Sequence, residues 1–199
     1  MRRAVLLSTV LFSMLALGSV ARADDIPTVL RPGTHPWYAG LDLGGAIGIH
    51  NSESQFKLGE FIGYHFSGKA SGPALGFEIQ EAFGGGVTTL ELGPKFLWDI
   101  PIVRNLGLYL TPSAMIGYGY VSAGGGGGGL CYDYEGFVYP CGGGGGSGSF
   151  FDMQFGFEGK LMLADRAFVF FRPLTLDFGT DGNAFVFRWD IMAGGGVTF

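Results

Sequence analysis

Ten ionisable residues recur at every second position, opposite large apolar ones: Asp42, Glu78, Glu91, Lys95, Asp152, Glu158, Lys160, Asp177, Arg188 and Asp190. Seven carboxylates and three cations on one side of a sheet admit two kinds of chemistry. They can pair with each other in an enclosed polar network, because an isolated buried charge costs several kcal/mol. They can also line a narrow water-filled path with an acidic bias. Cys131 and Cys141 form a second constellation, closing a short segment that carries Tyr132, Tyr134, Phe137 and Tyr139. The spacing is not that of a CxxC redox pair. No set of histidines lies nearby to make a metal site with the thiols, so no metal is expected. A third constellation is His50 with Ser52 and Ser54, residue types that serve acyl transfer or hydrolysis, but they stand in no recognisable motif. His35 and His65 are the other histidines. The glycine runs at 124–129 and 142–146 lack the lysine and the strand-to-helix setting of a phosphate loop. The sequence therefore implies no catalytic residues and no cofactor.

The elements that position these residues follow from composition and periodicity. Of 199 residues, 38 are Gly and 19 Phe, and only 15% are charged, against about 25% in ordinary soluble domains. The net charge is −5 and no basic cluster stands out, which argues against a nucleic-acid partner. Residues 1–23 read as a secretory signal peptide: Arg2 and Arg3, an apolar run from Ala4 to Val20, then Ala21-Arg22-Ala23 as the cleavage pattern. Residues 24–36 then form a short periplasmic segment. Beyond it no run of 18 unbroken apolar residues occurs. Secretion places the two cysteines in an oxidising compartment, where a disulfide is expected.

From Trp37 onward the hydrophobic period is two, the signature of strands with unlike faces. In 150–163 Phe151, Met153, Phe155, Phe157, Leu161 and Leu163 oppose Asp152, Gln154, Glu158 and Lys160. In 184–199 Phe185, Phe187, Trp189, Ile191 and Phe199 oppose Arg188 and Asp190. Similar alternation marks segments near 37–49, 74–83, 88–98 and 106–120. Two segments are less regular. Glu60 falls among Leu58, Ile62 and Tyr64. Arg172 aligns with Phe168, Phe170, Leu174, Leu176 and Phe178, and a β-bulge near Phe171 or Pro173 would turn it inward. The pattern leaves the facing of Glu60 and Arg172 open.

A soluble sandwich hides its apolar face and exposes its polar one. Here the second face carries charges at mid-strand and much glycine, so the large apolar face points to lipid. In hydrocarbon every backbone group must be paired, which requires the sheet to close. The expectation is an all-β, eight-stranded antiparallel up-and-down transmembrane β-barrel over 37–199. With the N-terminus periplasmic, the one long connection, the Gly-rich segment at about 121–149, falls on the outer side. Residues 99–105, DIPIVRN, then form an inner connection.

The signal peptide, the eight alternating segments and the terminal Phe199 resemble the small bacterial outer-membrane barrels of the OmpA/OmpX/OmpW type. The ending MAGGGVTF resembles that family's C-terminal assembly signal through Gly194, Val197 and Phe199. The resemblance implies a Gram-negative outer-membrane location, lipid as solvent, and the barrel-assembly machinery as a partner during biogenesis. It suits a non-enzymatic protein of envelope integrity, or of surface interaction through the third outer loop with a ligand the sequence does not identify. A narrow, porin-like channel for small solutes, hydrophobic ones among them, is the alternative; an outer-leaflet lipid-modifying enzyme is a third reading. The aromatic segment between the cysteines is either a recognition surface or a lid over the barrel mouth.

Overall fold

The computed structural model describes residues 35–49, 54–103, 106–123, 130–132, 138–140, 147–163, 166–181 and 185–199. Ten strands follow in chain order: β1 (Trp37–Gly48), β2 (Gln55–His65), β3 (Gly72–Gly84), β4 (Val87–Val103), β5 (Leu108–Ala123), β6 (Leu130–Tyr132), β7 (Val138–Pro140), β8 (Ser147–Met162), β9 (Ala167–Thr180) and β10 (Phe185–Thr198). Eight of them close into a barrel in the order β1-β10-β9-β8-β5-β4-β3-β2, all pairs antiparallel. β6 and β7 form a separate two-stranded ribbon inside the long connection. The barrel strands reach into that connection at both ends, to Ala123 and from Ser147, so 124–146 joins them.

Each barrel strand alternates buried and exposed residues. In β2 the inward set is Lys57, Gly59, Phe61, Gly63 and His65, and the outward set includes Phe56, Leu58 and Ile62. The outward face is mainly apolar, with Glu60 and Glu81 its charged exceptions on the described barrel strands; Leu43, Trp98 and Phe171 are each more than half exposed. Closure runs through the termini: Phe199 donates to the Trp37 carbonyl at 2.9 Å, and Trp37 donates back to Phe199 at 3.2 Å. At the opposite end β3 turns into β4 through Gly85 and Gly86, with φ of 57° and 76°. Both central residues of so tight a hairpin lie in the left-handed region, which glycine enters without a Cβ clash.

β9 carries a bulge. Thr175 faces Asp190 and Arg172 faces Met192 on one side, while Leu174 faces Phe157 and Phe171 faces Gly159 on the other. Between those pairs two residues of β9 oppose one on each neighbour, the count of a β-bulge. It forms where Pro173 has no N–H to give the ladder. The bulge turns Arg172 inward. It also corrects the sequence pattern: Phe168 and Phe170 do not share the outer face with Leu174 and Leu176 but lie inside with Arg172, while Val169 and Phe171 face out. The Trp189 indole N–H, on the outer surface, donates to the Pro173 carbonyl at 2.9 Å and so satisfies a group the bulge leaves unpaired.

A second correction concerns 99–105. β4 runs on to Val103, pairing Ile100 with Leu110 and Pro101 with Tyr109. Asp99 is therefore a strand residue aimed into the barrel rather than part of an inner connection.

Candidate functional site: the charged lumen

Eight strands enclose a space that side chains can fill. Inside, eight carboxylates and five Lys or Arg side chains are buried among the described residues. β4 shows how they are ordered. Its inward residues Glu91, Lys95 and Asp99 are spaced by four, which at a strand's rise separates them by about 13 Å at each step. Each belongs to a different layer of the lumen.

The layer nearest the long connection is built on Lys57 and Arg188. The Lys57 ammonium lies 2.5 Å from Asp190, 2.8 Å from Glu91 and 3.3 Å from Asp177. The Arg188 guanidinium pairs with Glu91, and with Asp177 at 2.5 Å; its other arm reaches Gln55 at 3.4 Å. Asp152 joins this layer through Gln154, whose amide nitrogen lies 3.1 Å from Asp152, Glu91 and Gln80. Oxygens of Glu91, Asp152 and Asp177 come within 4.8 Å of one another. Four carboxylates here face two cations, and one oxygen each of Asp152, Asp177 and Asp190 is buried without a hydrogen bond.

The middle layer is built on Arg172 and Lys95. Arg172 donates to Glu158 at 3.1 Å and to Glu78 at 3.4 Å, and approaches Asp42 at 3.5 Å. Lys95 donates to Glu78 at 2.5 Å, and Gln80 donates to the same carboxylate. The layer nearest the termini centres on a single carboxylate, Asp99. Lys160 and Thr111 donate to it at 2.5 Å each, and His65 Nε2 lies 2.9 Å away. The other ring nitrogen of His65 reaches the Pro36 carbonyl at 3.3 Å. Aromatic rings enclose this layer: Tyr38, Phe61, Phe168 and Phe170 stack with centroids 5.7–6.4 Å apart, and the Lys160 ammonium lies 4.6 Å over the Phe168 ring.

Inward glycines make room for the rings. Phe61 lies over Gly40, the Tyr38 ring over Gly63 and Gly76, and Phe168 and Phe170 over Gly196 and Gly194. Phe150 occupies the corresponding recess over Gly119 and Gly179 near the long connection. A methyl group at these glycines would enter the ring or the neighbouring backbone. These glycines thus receive aromatic side chains, while Gly59 makes room for Asp42 and Gly44 for Met192.

All ten ionisable residues singled out above lie in the lumen, distributed over the three layers. Lys57, Asp99 and His65 were missed, although Lys57 stands opposite Leu58 in an alternation that is plain to read. The Cys131–Cys141 pair lies outside the described residues through Cys141, as do Tyr134, Phe137, His50 and Ser52; of the tip, Tyr132 and Tyr139 are described as backbone only, in β6 and β7. Gly194, Val197 and Phe199 sit at the β1–β10 seam, where Val197 pairs with Ala39 and Gly194 with Asp42.

No protein-family model matches the sequence, and no curated protein is significantly similar to it. Solved structures are similar in fold. The N-terminal β-barrel domain of Pseudomonas aeruginosa OprF matches with a TM-score of 0.53 at 14% identity, over 81% of this chain and 97% of that one. Neisserial surface protein A, NspA, matches with a TM-score of 0.59 at 11% identity, over 84% and 98%. The chain thus has the fold of the small eight-stranded outer-membrane barrels.

Proposed function

We propose that this protein is a non-enzymatic barrel of a Gram-negative outer membrane, one that contributes to envelope integrity and presents its long connection, with Tyr132, Tyr134, Phe137 and Tyr139 between Cys131 and Cys141, as a surface-interaction element. In this reading the apolar band contacts lipid. Residues 1–23 direct export, and the seam residues Gly194, Val197 and Phe199 are read by the barrel-assembly machinery.

The observation that carries the reading is the occupied lumen: two layers built on cations, one centred on Asp99, and the rings on glycine follow one another from Arg188 to His65. A transport path would need a continuous wet column, and each of the three layers places paired charges across it. Planar-bilayer recordings of the purified protein test it. The expected outcome is little or no steady conductance; a sustained conductance that grows in Lys95→Ala or Arg188→Ala would replace this reading with a channel. Incubation with lipid A followed by mass spectrometry is expected to leave the acyl count unchanged.

A further inference from the structure

Asp152 stands apart among the lumen carboxylates. It is fully buried, yet among the described residues no Lys or Arg pairs with it, and its hydrogen-bond partner is the Gln154 amide. Each of the other buried carboxylates has a cation: Arg172 for Asp42, Glu78 and Glu158, Lys160 for Asp99, and Lys57 for Glu91, Asp177 and Asp190.

What Asp152 faces instead is two more carboxylates. One oxygen each of Glu91 on β4, Asp152 on β8 and Asp177 on β9 lie within 4.8 Å of one another. The register explains the meeting. Asp152 pairs with Gly179 and Gln154 with Asp177, so the two aspartates are diagonal neighbours on the inner face of one ladder. β5 runs between β4 and β8, and it places Gly119 opposite Glu91 and Gly117 opposite Asp152. At these two positions β5 has no side chain to hold the carboxylates apart.

Carboxylates this close repel unless positive charge lies among them. Lys57 and Arg188 both engage Asp177 through Oδ2. The Oδ1 atoms of Asp177 and Asp152 are left buried with no hydrogen bond. A buried acceptor without a donor is costly, and a bound ion is one way such an atom is satisfied. The layer also carries two more negative charges than positive ones, the charge of a single divalent cation. The donors are all carboxylate oxygens, which suit Ca²⁺ or Mg²⁺ better than a metal that prefers nitrogen or sulfur. Of the two, Ca²⁺ accepts an irregular set of carboxylates, whereas Mg²⁺ demands a strict octahedron and keeps several waters.

We propose that Glu91, Asp152 and Asp177 form a calcium site in the lumen. The ion supplies the positive charge that Lys57 and Arg188 do not, and it ties β4, β8 and β9 together near the long connection. This goes beyond the envelope and surface role and does not depend on what the long connection binds.

The test uses the full mature chain folded in dodecyl maltoside, an uncharged detergent that does not compete for calcium. Equilibrium dialysis against radiolabelled calcium at neutral pH should find one ion per chain, removed by EDTA. Asp152→Asn should weaken binding by about tenfold or more, since affinity follows the number of charged ligands. Asp152 has no cation to strand, so this variant should fold. Asp42→Asn, which removes a carboxylate from the middle layer, should bind as the unaltered chain does. The second readout is the unfolding midpoint. Calcium should raise it over EDTA, increasingly with concentration as mass action requires, and magnesium should raise it less. Asp152→Asn should lose the calcium response, and without calcium it should be the more stable of the two chains. No bound calcium, equal binding by Asp152→Asn, or equal loss in Asp42→Asn would each overturn the proposal. An equal response to magnesium would overturn the assignment to calcium. A midpoint that ignores calcium but rises as the pH falls would overturn the site as well, by assigning the surplus charge to protons held between the carboxylates.

Discussion

The two ends of the lumen solve the same problem in different ways. At the terminus end a single carboxylate, Asp99, is surrounded by Lys160, Thr111 and His65, and four aromatic rings shield the group. At the long-connection end Lys57 and Arg188 are each shared among several of four carboxylates, and three carboxylate oxygens are left without a hydrogen bond. The first arrangement gives one carboxylate three polar partners; the second shares two cations among four carboxylates and leaves three of their oxygens, and the Arg188 Nε donor, without a hydrogen bond. A buried ion network is therefore not one kind of object. Its response to substitution depends on which sign is in excess, because what is costly is the charge left behind.

The comparison can be broken by substitutions measured as chemical unfolding of the protein in lipid vesicles. Arg188→Met should have the largest effect. It leaves Lys57 as the one cation for Glu91, Asp177 and Asp190, and should destabilise the barrel by about 3–5 kcal/mol, the cost of breaking a buried pair from one side. Lys160→Met should cost less, about 1.5–3 kcal/mol, the scale of one hydrogen bond to a charged group, because Asp99 keeps His65 and Thr111. An equal loss at both sites would show that the two ends do not differ. The sharpest test reverses the sign. Asp152→Asn removes one surplus negative charge and keeps an oxygen for Gln154. It should stabilise the barrel by about 1 kcal/mol, the net worth of one good hydrogen bond. A destabilised Asp152→Asn would mean that the charge excess at this end is matched by something other than Lys57 and Arg188.

Much of this interior was legible in one dimension. Alternation marks Asp152, Glu158 and Lys160 as one face of β8, and Arg188 and Asp190 as one face of β10, because the pleat sends every second side chain to the same side. Asp99 was not legible, since a strand that runs on through Pro101 looks like a turn until its partner β5 is in place. Phe168 and Phe170 were assigned to the wrong face. The bulge at Pro173 shifts the phase of β9, and nothing on one side of a bulge reports the phase on the other. Glu81 fits its strand's outward set in the sequence and became notable only beside Glu60 on the neighbouring strand.

The sequence by itself determined the fold class and the sidedness of the sheet. Period-two alternation with the charges on the glycine-rich face is a local property of each strand, and closure is what a sheet with its apolar face outward needs if every backbone group is to be paired. Only the tertiary structure decided which charges meet. Lys57 and Asp190 are 133 residues apart and 2.5 Å from each other, a contact set by barrel register rather than by anything near either residue in the chain. Register is a relation between strands, so the layers, the rings on their glycines and the two glutamates on the outer wall exist only once the barrel has closed.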